Sequence, residues 1–458
     1  MFFSLVRKEL LEQMLALRFS MACVIYLVIV LSSAFVMTRD YQEALSDYHT
    51  NLVMHEKEIE ETQNLVWDGI KVDKSLNPMQ IFFKGVDQEL TATAKINAVA
   101  EPQFEANFER NPVIFLFPSI DWLFFIGTFV SLLAIAFSYD AISGEKESGT
   151  LTLLMSYSVP RDQVLLAKWM GGYLALVAPF LLSLLCGLIV VVLFPTVELH
   201  SEHWAGLGPI FLISLLYLAA MYSLGLFISA CTHLASTSVA ILLLIWVLMV
   251  LIVPNIAPYI AAQIEPLQDF TMVDKEKYQI EREEEQKFEA ELKQWAEQHP
   301  KVQAWGESLW WVNWHRIKRD QLLRLIERQD KINDQFQTQM EVQIRLGQYL
   351  SRFSPLASFA YAASDLAGTG VQDRGRFMDR LPDYRKEITR FGMEQRILAN
   401  EREDWSSHTI EGYPHFAVTE STLRDRVVSV LVDILFLGVW NILFFMGTYL
   451  SFLRYDVK

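Results

Sequence analysis

The sequence predicts a mainly α-helical, polytopic membrane protein, and two observations support that prediction. The chain has 458 residues, of which 52% are hydrophobic, yet its mean hydropathy is only +0.22. This average hides two kinds of segment, because apolar windows of the roughly 20 residues needed to cross a bilayer alternate with long charged insertions. The net charge of -15 also argues against a nucleic-acid partner, which would favour a basic surface. The six predicted spans cover 19–38, 114–138, 171–194, 207–231, 236–257 and 427–453.

Residues 1–18 are predicted to form an amphipathic helix that lies at the membrane surface and leads into the first span. Apolar side chains recur there at helical spacing, with charged residues between them; they are Val6, Leu10, Met14 and Leu17. A rival interpretation is a signal peptide that is cleaved after the small residues 32–34. The apolar run continues past that point, so we favour the surface helix.

Two polar insertions, 39–113 and 258–426, are predicted to form extracytoplasmic domains of different character. The first is predicted to be mixed α/β, because Asn77-Pro78 interrupts a helical pattern and Ile81–Phe83 and Leu90–Ile96 have the composition of short strands. The second is predicted to consist of long helices. Its charged residues 274–298 and the heptad-like spacing from 322 to 346 favour a helical hairpin that projects some tens of ångströms from the membrane.

The distribution of Lys and Arg predicts the orientation of the chain. The N-terminus, the loop 139–170 and the tail 454–458 carry basic residues, whereas the short loop 195–206 carries none. Because basic residues concentrate on the cytoplasmic side, both termini and the loop 139–170 are predicted to be cytoplasmic.

The loop between the second and third spans combines charged residues with a short apolar run. A polar hinge between two spans must leave the hydrocarbon region, where its charges and loop backbone would have no partners. In this loop Glu145, Lys146 and Glu147 precede Gly149-Thr150, an apolar run follows from Leu151, and Pro160 ends it. The pattern predicts one or two turns of amphipathic helix at the membrane surface.

This loop resembles the first cytoplasmic loop of ABC-2 type transporter permeases, the segment that carries their coupling helix. The resemblance implies that Glu145 and Glu147 meet basic groups of an ATP-binding subunit, that Gly149 permits the turn, and that Leu151 and Leu154 fill an apolar groove. Thr152 stands where many relatives have Glu. The residues expected to act in coupling are Glu145, Lys146, Glu147, Gly149, Thr150, Leu151, Leu154, Pro160, Arg161 and Lys168.

The resemblance also implies partners and a location. Two permease subunits, identical or different, would pair in the bacterial inner membrane, and separate subunits would hold ATP and magnesium, driving export or mechanical work. The chain itself has no Gly-x4-Gly-Lys-Ser/Thr loop for ATP, no catalytic motif and no expected cofactor. Besides membrane lipid, an envelope partner could bind 258–426. The alternative is a membrane-anchored scaffold or sensor that binds such a partner without translocating a substrate.

Four further features of the sequence are candidates for a functional role. Asp433 in the sixth span should face the bundle interior, lining a pathway or a subunit interface, because an unpaired carboxylate near the bilayer centre costs about 2.5–3.5 kcal/mol; snorkelling is its alternative. Asn441 is expected to make an interhelical hydrogen bond. His200 and His203 form a weak candidate metal site, for which a polar loop tip is the favoured interpretation. A tryptophan cluster, which we interpret as helix packing rather than a ligand site, comprises Trp305, Trp310, Trp311 and Trp314.

Overall fold

The computed structural model describes residues 2–62, 64–86, 93–104, 120–156, 159–302, 307–403, 412–419 and 421–454. Six helices within these ranges are long and apolar enough to cross a membrane. We number them as spans one to six: Leu17–Glu61, Trp122–Glu147, Arg161–Val192, Ser201–Cys231, Ala235–Ile264 and Leu431–Leu453. The predicted fold class, a mainly α polytopic protein, is confirmed.

The remaining helices are shorter or polar, and two spans contain a π-helical turn. The π-helical segments are Phe125–Val130 in span two and Val247–Ile252 in span five. Residues 114–119, which we predicted as the start of span two, lie outside the described residues. The other helices are Phe2–Leu15, Thr150–Ser156, Phe270–Gln298, Ser308–Ser351, Pro355–Ala367, Val371–Glu401 and Leu423–Ser429.

Span one continues far beyond its predicted end at residue 38. It is a single helix of 45 residues, Leu17–Glu61, which is about 68 Å long at 1.5 Å per residue. No Gly or Pro interrupts this stretch, so nothing in the sequence forces the helix to end where the apolar residues end. The polar residues after 38 therefore belong to the same continuous helix as the span.

A small antiparallel sheet forms part of the first insertion, but one predicted strand is wrong. The strands are Ile70–Asp73, Thr93–Ile96 and Gln103–Phe104, in that order. Residues Ile81–Phe83 do not form the predicted strand, because Ile81 ends a short 3-10 helix, Pro78–Ile81. Asn77 caps this helix, since its Oδ1 accepts a hydrogen bond from the Met79 N–H (2.9 Å). Phe82 and Phe83 are fully buried against the Trp122 ring. Residues 90–92 lie outside the described ranges.

Long helices and the sheet together form an elongated body, which we call the tower. It comprises residues 39–61 of span one, the helices Phe270–Gln298, Ser308–Ser351 and Val371–Glu401, and the three strands. The second and third of these helical elements are antiparallel, as predicted, with ring contacts between Phe270 and Phe336 at one end and between Trp295 and Trp310 at the other. The hairpin is roughly 50 Å long from residue 343 to residue 310.

One helix of the second insertion packs among the spans, although we predicted the whole of 258–426 as a domain outside the membrane. Pro355–Ala367 lies against spans four and six, and the Phe359 ring stacks on Tyr217 of span four at 4.9 Å between centroids. A Cβ on Gly127 of span two would lie 2.5 Å from Leu356 Cδ1. We call this helix, together with the preceding turn Arg352–Ser354, the membrane hairpin. It is too short to cross a bilayer.

Candidate functional site

The loop 139–170, which we call the coupling loop after the family resemblance, contains two short helices, whereas the sequence predicted one or two turns of amphipathic helix. Ser143–Glu147 ends span two, and Thr150–Ser156 follows after Ser148 and Gly149. Gly149 has φ +73°, in the left-handed region that favours glycine, and a Cβ there would meet nothing within 4 Å. Glycine is therefore favoured by backbone conformation and not by lack of space, which supports the turn that we expected at this position.

The first of these helices is attached to span four through backbone and side-chain hydrogen bonds. Ser229 Oγ accepts hydrogen bonds from the N–H groups of Ile142 (3.0 Å) and Ser143 (2.9 Å). Lys146 Nζ donates to the carbonyl oxygen of Thr232 (3.1 Å), just beyond the end of the same span. Lys146, one of the residues that we expected to act in coupling, therefore holds the loop to span four of its own chain.

The loop also contacts the ends of spans five and six. Glu147 Oε2 accepts a hydrogen bond from the N–H of Ala235 (3.0 Å), the first residue of span five. Arg161 Nη1 donates to the carbonyl oxygen of Leu453 (2.9 Å), the last residue of span six. Each charge has the sign that the helix dipole favours at that terminus. Pro160 precedes Arg161 and marks the start of span three.

A buried lysine joins the loop to span three and to the N-terminal helix. Lys168 Nζ lies 2.6 Å from Glu145 Oε1 and 3.4 Å from Glu9 Oε1, and the Lys168 side chain is only 2% exposed. A buried cation requires such partners, because its desolvation would otherwise be costly. Nearby, Arg18 Nη1 of span one is 2.8 Å from Asp140 Oδ1. Glu9 was missed at the sequence level, where its only signal was its place on the polar face of the helix.

The two leucines that we expected to face a partner are more buried than Leu153, which lies between them. Leu151 is fully buried in this chain, so its predicted role in filling a partner's groove is wrong, and Leu154 is partly buried against the same core. Leu153 is 63% exposed. Helical spacing places residues 151 and 154 on one face and 153 on another. The outward-facing set comprises Glu147, Ser148, Gly149, Thr150, Thr152, Leu153 and Ser156.

Asp433 forms a two-point ion pair with a residue that we did not identify from the sequence. Arg352 Nε lies 2.6 Å from Asp433 Oδ1, and Arg352 Nη2 lies 3.0 Å from Oδ2. Asp433 is 1% exposed and Arg352 is 8% exposed, so Asp433 faces the interior, as predicted, and does not snorkel. The pair fastens the membrane hairpin to span six within one chain, instead of joining two subunits.

Aromatic rings surround the Arg352 guanidinium. Its Cζ lies 5.2 Å from the Tyr349 ring centroid and 5.7 Å from that of Tyr361, distances at which the ring faces attract a cation. The hydroxyl groups of Tyr361 and Ser351 are hydrogen-bonded at 2.9 Å. Ring contacts and the two-point pair together fix the position of this arginine.

The remaining sequence candidates have structural partners or lie on a surface. Asn441 Nδ2 donates to the Leu216 carbonyl oxygen of span four (2.9 Å), the expected interhelical bond. Among the described residues, no group of three or more His, Cys, Asp or Glu side chains is placed to hold a metal ion; His203 Nδ1 accepts from the His200 N–H (3.0 Å). Tryptophans 310, 311 and 314 pack in aromatic contacts at the end of the tower hairpin, and Trp305 lies outside the described residues.

Comparison with known proteins assigns the chain to a family. The family model described as "ABC-2 family transporter protein" matches residues 3–457. The chain is 34% identical over 122 residues to the "Probable ABC transporter permease protein NosY" of Stutzerimonas stutzeri, which is 26% of this chain and 44% of that protein. It is 37% identical over 97 residues to the protein of the same name from Pseudomonas aeruginosa. That match covers 20% of this chain and 35% of the relative. Each match thus spans less than half of the relative. The family match and the six spans identify the chain as a multi-pass membrane protein that belongs to the ABC-2 family of transporter proteins.

Proposed function

We propose that this chain is the transmembrane permease subunit of an ABC-2 transporter and that a separate ATP-binding subunit docks on the outward-facing residues of its coupling loop. One observation supports this most directly. The loop between residues 143 and 161 has exposed residues and also makes polar contacts to the ends of spans four, five and six. A force applied to the exposed face would therefore reach several spans at once.

In this proposal the ATP-binding subunits hold ATP and magnesium, and two permease subunits, identical or different, pair in the bacterial inner membrane. Glu147 and Leu153 contact the ATP-binding subunit, and Lys168 transmits displacement of Glu145 to span three. Basic residues on the loop and at both ends of the chain support a cytoplasmic location for these parts. The tower then lies on the opposite side of the membrane.

Span one offers a route from the coupling loop to the tower. Near the start of span one, Arg18 pairs with Asp140, which lies at the beginning of the loop 139–170. Near the end of the same span, Ile59 packs in the hydrophobic core of the tower. Because the helix between them has no break, tilting of one end moves the other. The proposed output is export or mechanical work, with the tower moving as ATP is hydrolysed.

The test is copurification of the ATP-binding subunit with variants of the full-length chain. Glu147→Arg combined with Leu153→Asp should abolish copurification and coupled ATPase activity, because both changes alter the proposed docking face. The matched control is Glu297→Arg with Leu309→Asp, which makes the same changes on exposed tower residues and should leave both readouts intact. Retention of a coupled ATPase by the loop variant refutes the proposed docking face.

A second function is favoured by the size of the tower. A helical body that extends roughly 50 Å from the spans suits a scaffold that binds an envelope partner without translocating a substrate. Vesicles that contain the complete assembly distinguish the two functions. A transporter should accumulate substrate on ATP addition, whereas the scaffold should hydrolyse ATP with no accumulation.

A further inference from the structure

A cavity of about 1050 Å³ lies between the base of the tower and the ends of spans three and four. Its floor is the loop 196–203, and one wall is the face of span one between residues 41 and 49. Arg376, Phe377 and Arg426 line the side formed by the second insertion. The volume is comparable to that of small-ligand sites, which measure roughly 300–1000 Å³. None of these residues belongs to the coupling loop.

The floor carries negative charge that the described part of the protein does not neutralise. Glu198 and Glu202 both line the cavity and are exposed. Neither carboxylate has an ion-pair partner within 4.0 Å among the residues that the structure describes.

The opposite side carries positive charge. Arg376 is paired with Asp373, which also accepts a hydrogen bond from Ser421 Oγ (3.4 Å). Arg426 Nε donates to the same hydroxyl oxygen (2.7 Å), and in the described ranges no carboxylate lies within ion-pair distance of Arg426. Arg376 and Asp373, which both line the cavity, are therefore paired, whereas Glu198, Glu202 and Arg426 line the same space without pairing with each other.

Such a separation of charge suits a ligand that carries both signs. We propose that the cavity binds a zwitterionic phosphoethanolamine group, with its phosphate at Arg426 and Arg376 and its ammonium at Glu198 and Glu202. Guanidinium groups match the geometry of phosphate oxygens, and carboxylates are the natural partners of a primary ammonium. The mixed lining also disfavours a purely anionic ligand, which the two glutamates would repel.

The surroundings of the floor favour a phospholipid as the source of this group. Leu193 is 73% exposed and Trp204 is 45% exposed, and these residues flank the floor loop on either side. Trp and neighbouring apolar side chains at the ends of spans are typical of the membrane interface. A lipid headgroup could thus occupy the cavity while its acyl chains remain in the bilayer. A soluble glycerophosphoethanolamine is the other source of the same chemistry. Binding of phosphoethanolamine in this cavity does not require that the protein transports a substrate.

Binding is tested with the purified, delipidated full-length chain. Native mass spectrometry measures its binding to phosphatidylethanolamine, phosphatidylglycerol and soluble glycerophosphoethanolamine. Arg426→Gln and Glu198→Gln should each weaken phosphatidylethanolamine binding roughly tenfold or more, since each removes one charged hydrogen-bond partner. The controls Arg424→Gln and Glu43→Gln alter exposed charges that do not line the cavity and should leave binding unchanged.

Glu198 is exposed on a loop, so its substitution does not threaten folding, and it gives an independent check on Arg426. Selective binding of phosphatidylethanolamine that both cavity variants weaken supports the proposal. Displacement of that lipid by the soluble compound at equal concentration also supports the site and assigns it a soluble ligand. Equal binding of phosphatidylglycerol with no effect of Glu198→Gln overturns the proposal, as does the absence of binding to both phosphoethanolamine compounds.

Discussion

Loss of the Asp433 carboxylate should destabilise the protein strongly. Asp433→Asn keeps the shape of the side chain but leaves the buried Arg352 guanidinium without its ion-pair partner. The pair consists of two charge-assisted hydrogen bonds, of 2.6 and 3.0 Å, between groups that are almost fully buried. Removal of one partner of such a pair costs about 3–5 kcal/mol, because the remaining charge stays desolvated.

The assay is reversible unfolding in mixed micelles, in which the free energy of unfolding is compared between variants. Asp433→Asn should lower it by about 3–5 kcal/mol, whereas the double variant Arg352→Met/Asp433→Leu should recover most of that loss, because no charge remains buried. Asp47→Asn, an exposed carboxylate on the same chain, is the control and should change it by less than about 0.5 kcal/mol. A cost below about 1 kcal/mol for Asp433→Asn, which is the range of a surface ion pair, would show that the Arg352–Asp433 pair does not behave as a buried, desolvated pair.

Three further predictions concern the loop and the tower. Lys168→Met removes the cation between Glu145 and Glu9, so coupled ATPase activity should fall roughly tenfold; unchanged activity would contradict the transmission route. Gly149→Ala should impose about 1–2 kcal/mol of backbone strain and weaken docking, whereas Gly149→Asn should be better tolerated. The measurement is the affinity of each variant for the ATP-binding subunit. If Gly149→Ala binds this subunit as tightly as the wild-type chain does, the predicted strain is wrong. The third prediction concerns Glu284 in the tower. Burial of its carboxylate acts to raise its pKa, but hydrogen bonds from Lys287, Arg328 and Arg324 outweigh this effect and lower the pKa to about 2. Its stabilising contribution is complete above the unfolded value of about 4.3 and is lost as the pH falls through about 2. Glu284→Gln should therefore reduce the acid dependence of unfolding in that window, as measured by circular dichroism, and an identical pH profile would count against it.

The spans and the turn at Gly149 could be predicted because their signals are local. Apolar windows of sufficient length identify spans, and the turn chemistry around Gly149 depends on adjacent residues. The outward position of Leu153 was equally accessible, since helical spacing alone separates it from Leu151 and Leu154. We instead predicted that Leu151 and Leu154 face a partner, because we followed the resemblance to the family's loop.

Features that depend on distant contacts could not be predicted in the same way. Arg352 and Asp433 are 81 residues apart, and nothing in the sequence pairs them. The helix Pro355–Ala367 is shorter than a span, so a hydropathy window does not distinguish it from a helix of the polar insertion. Span one extends to Glu61 because its polar half packs in the tower, and the change from apolar to polar residues concealed that continuity.

Binding of an ATP-binding subunit to the outward face of the coupling loop can be measured in native membranes. A photo-crosslinking residue is placed at position 153 and, separately, at the buried position 151. We expect a P-loop ATPase to be crosslinked from position 153 and not from position 151. The absence of an ATPase adduct from position 153, or equal adducts from both positions, would contradict it.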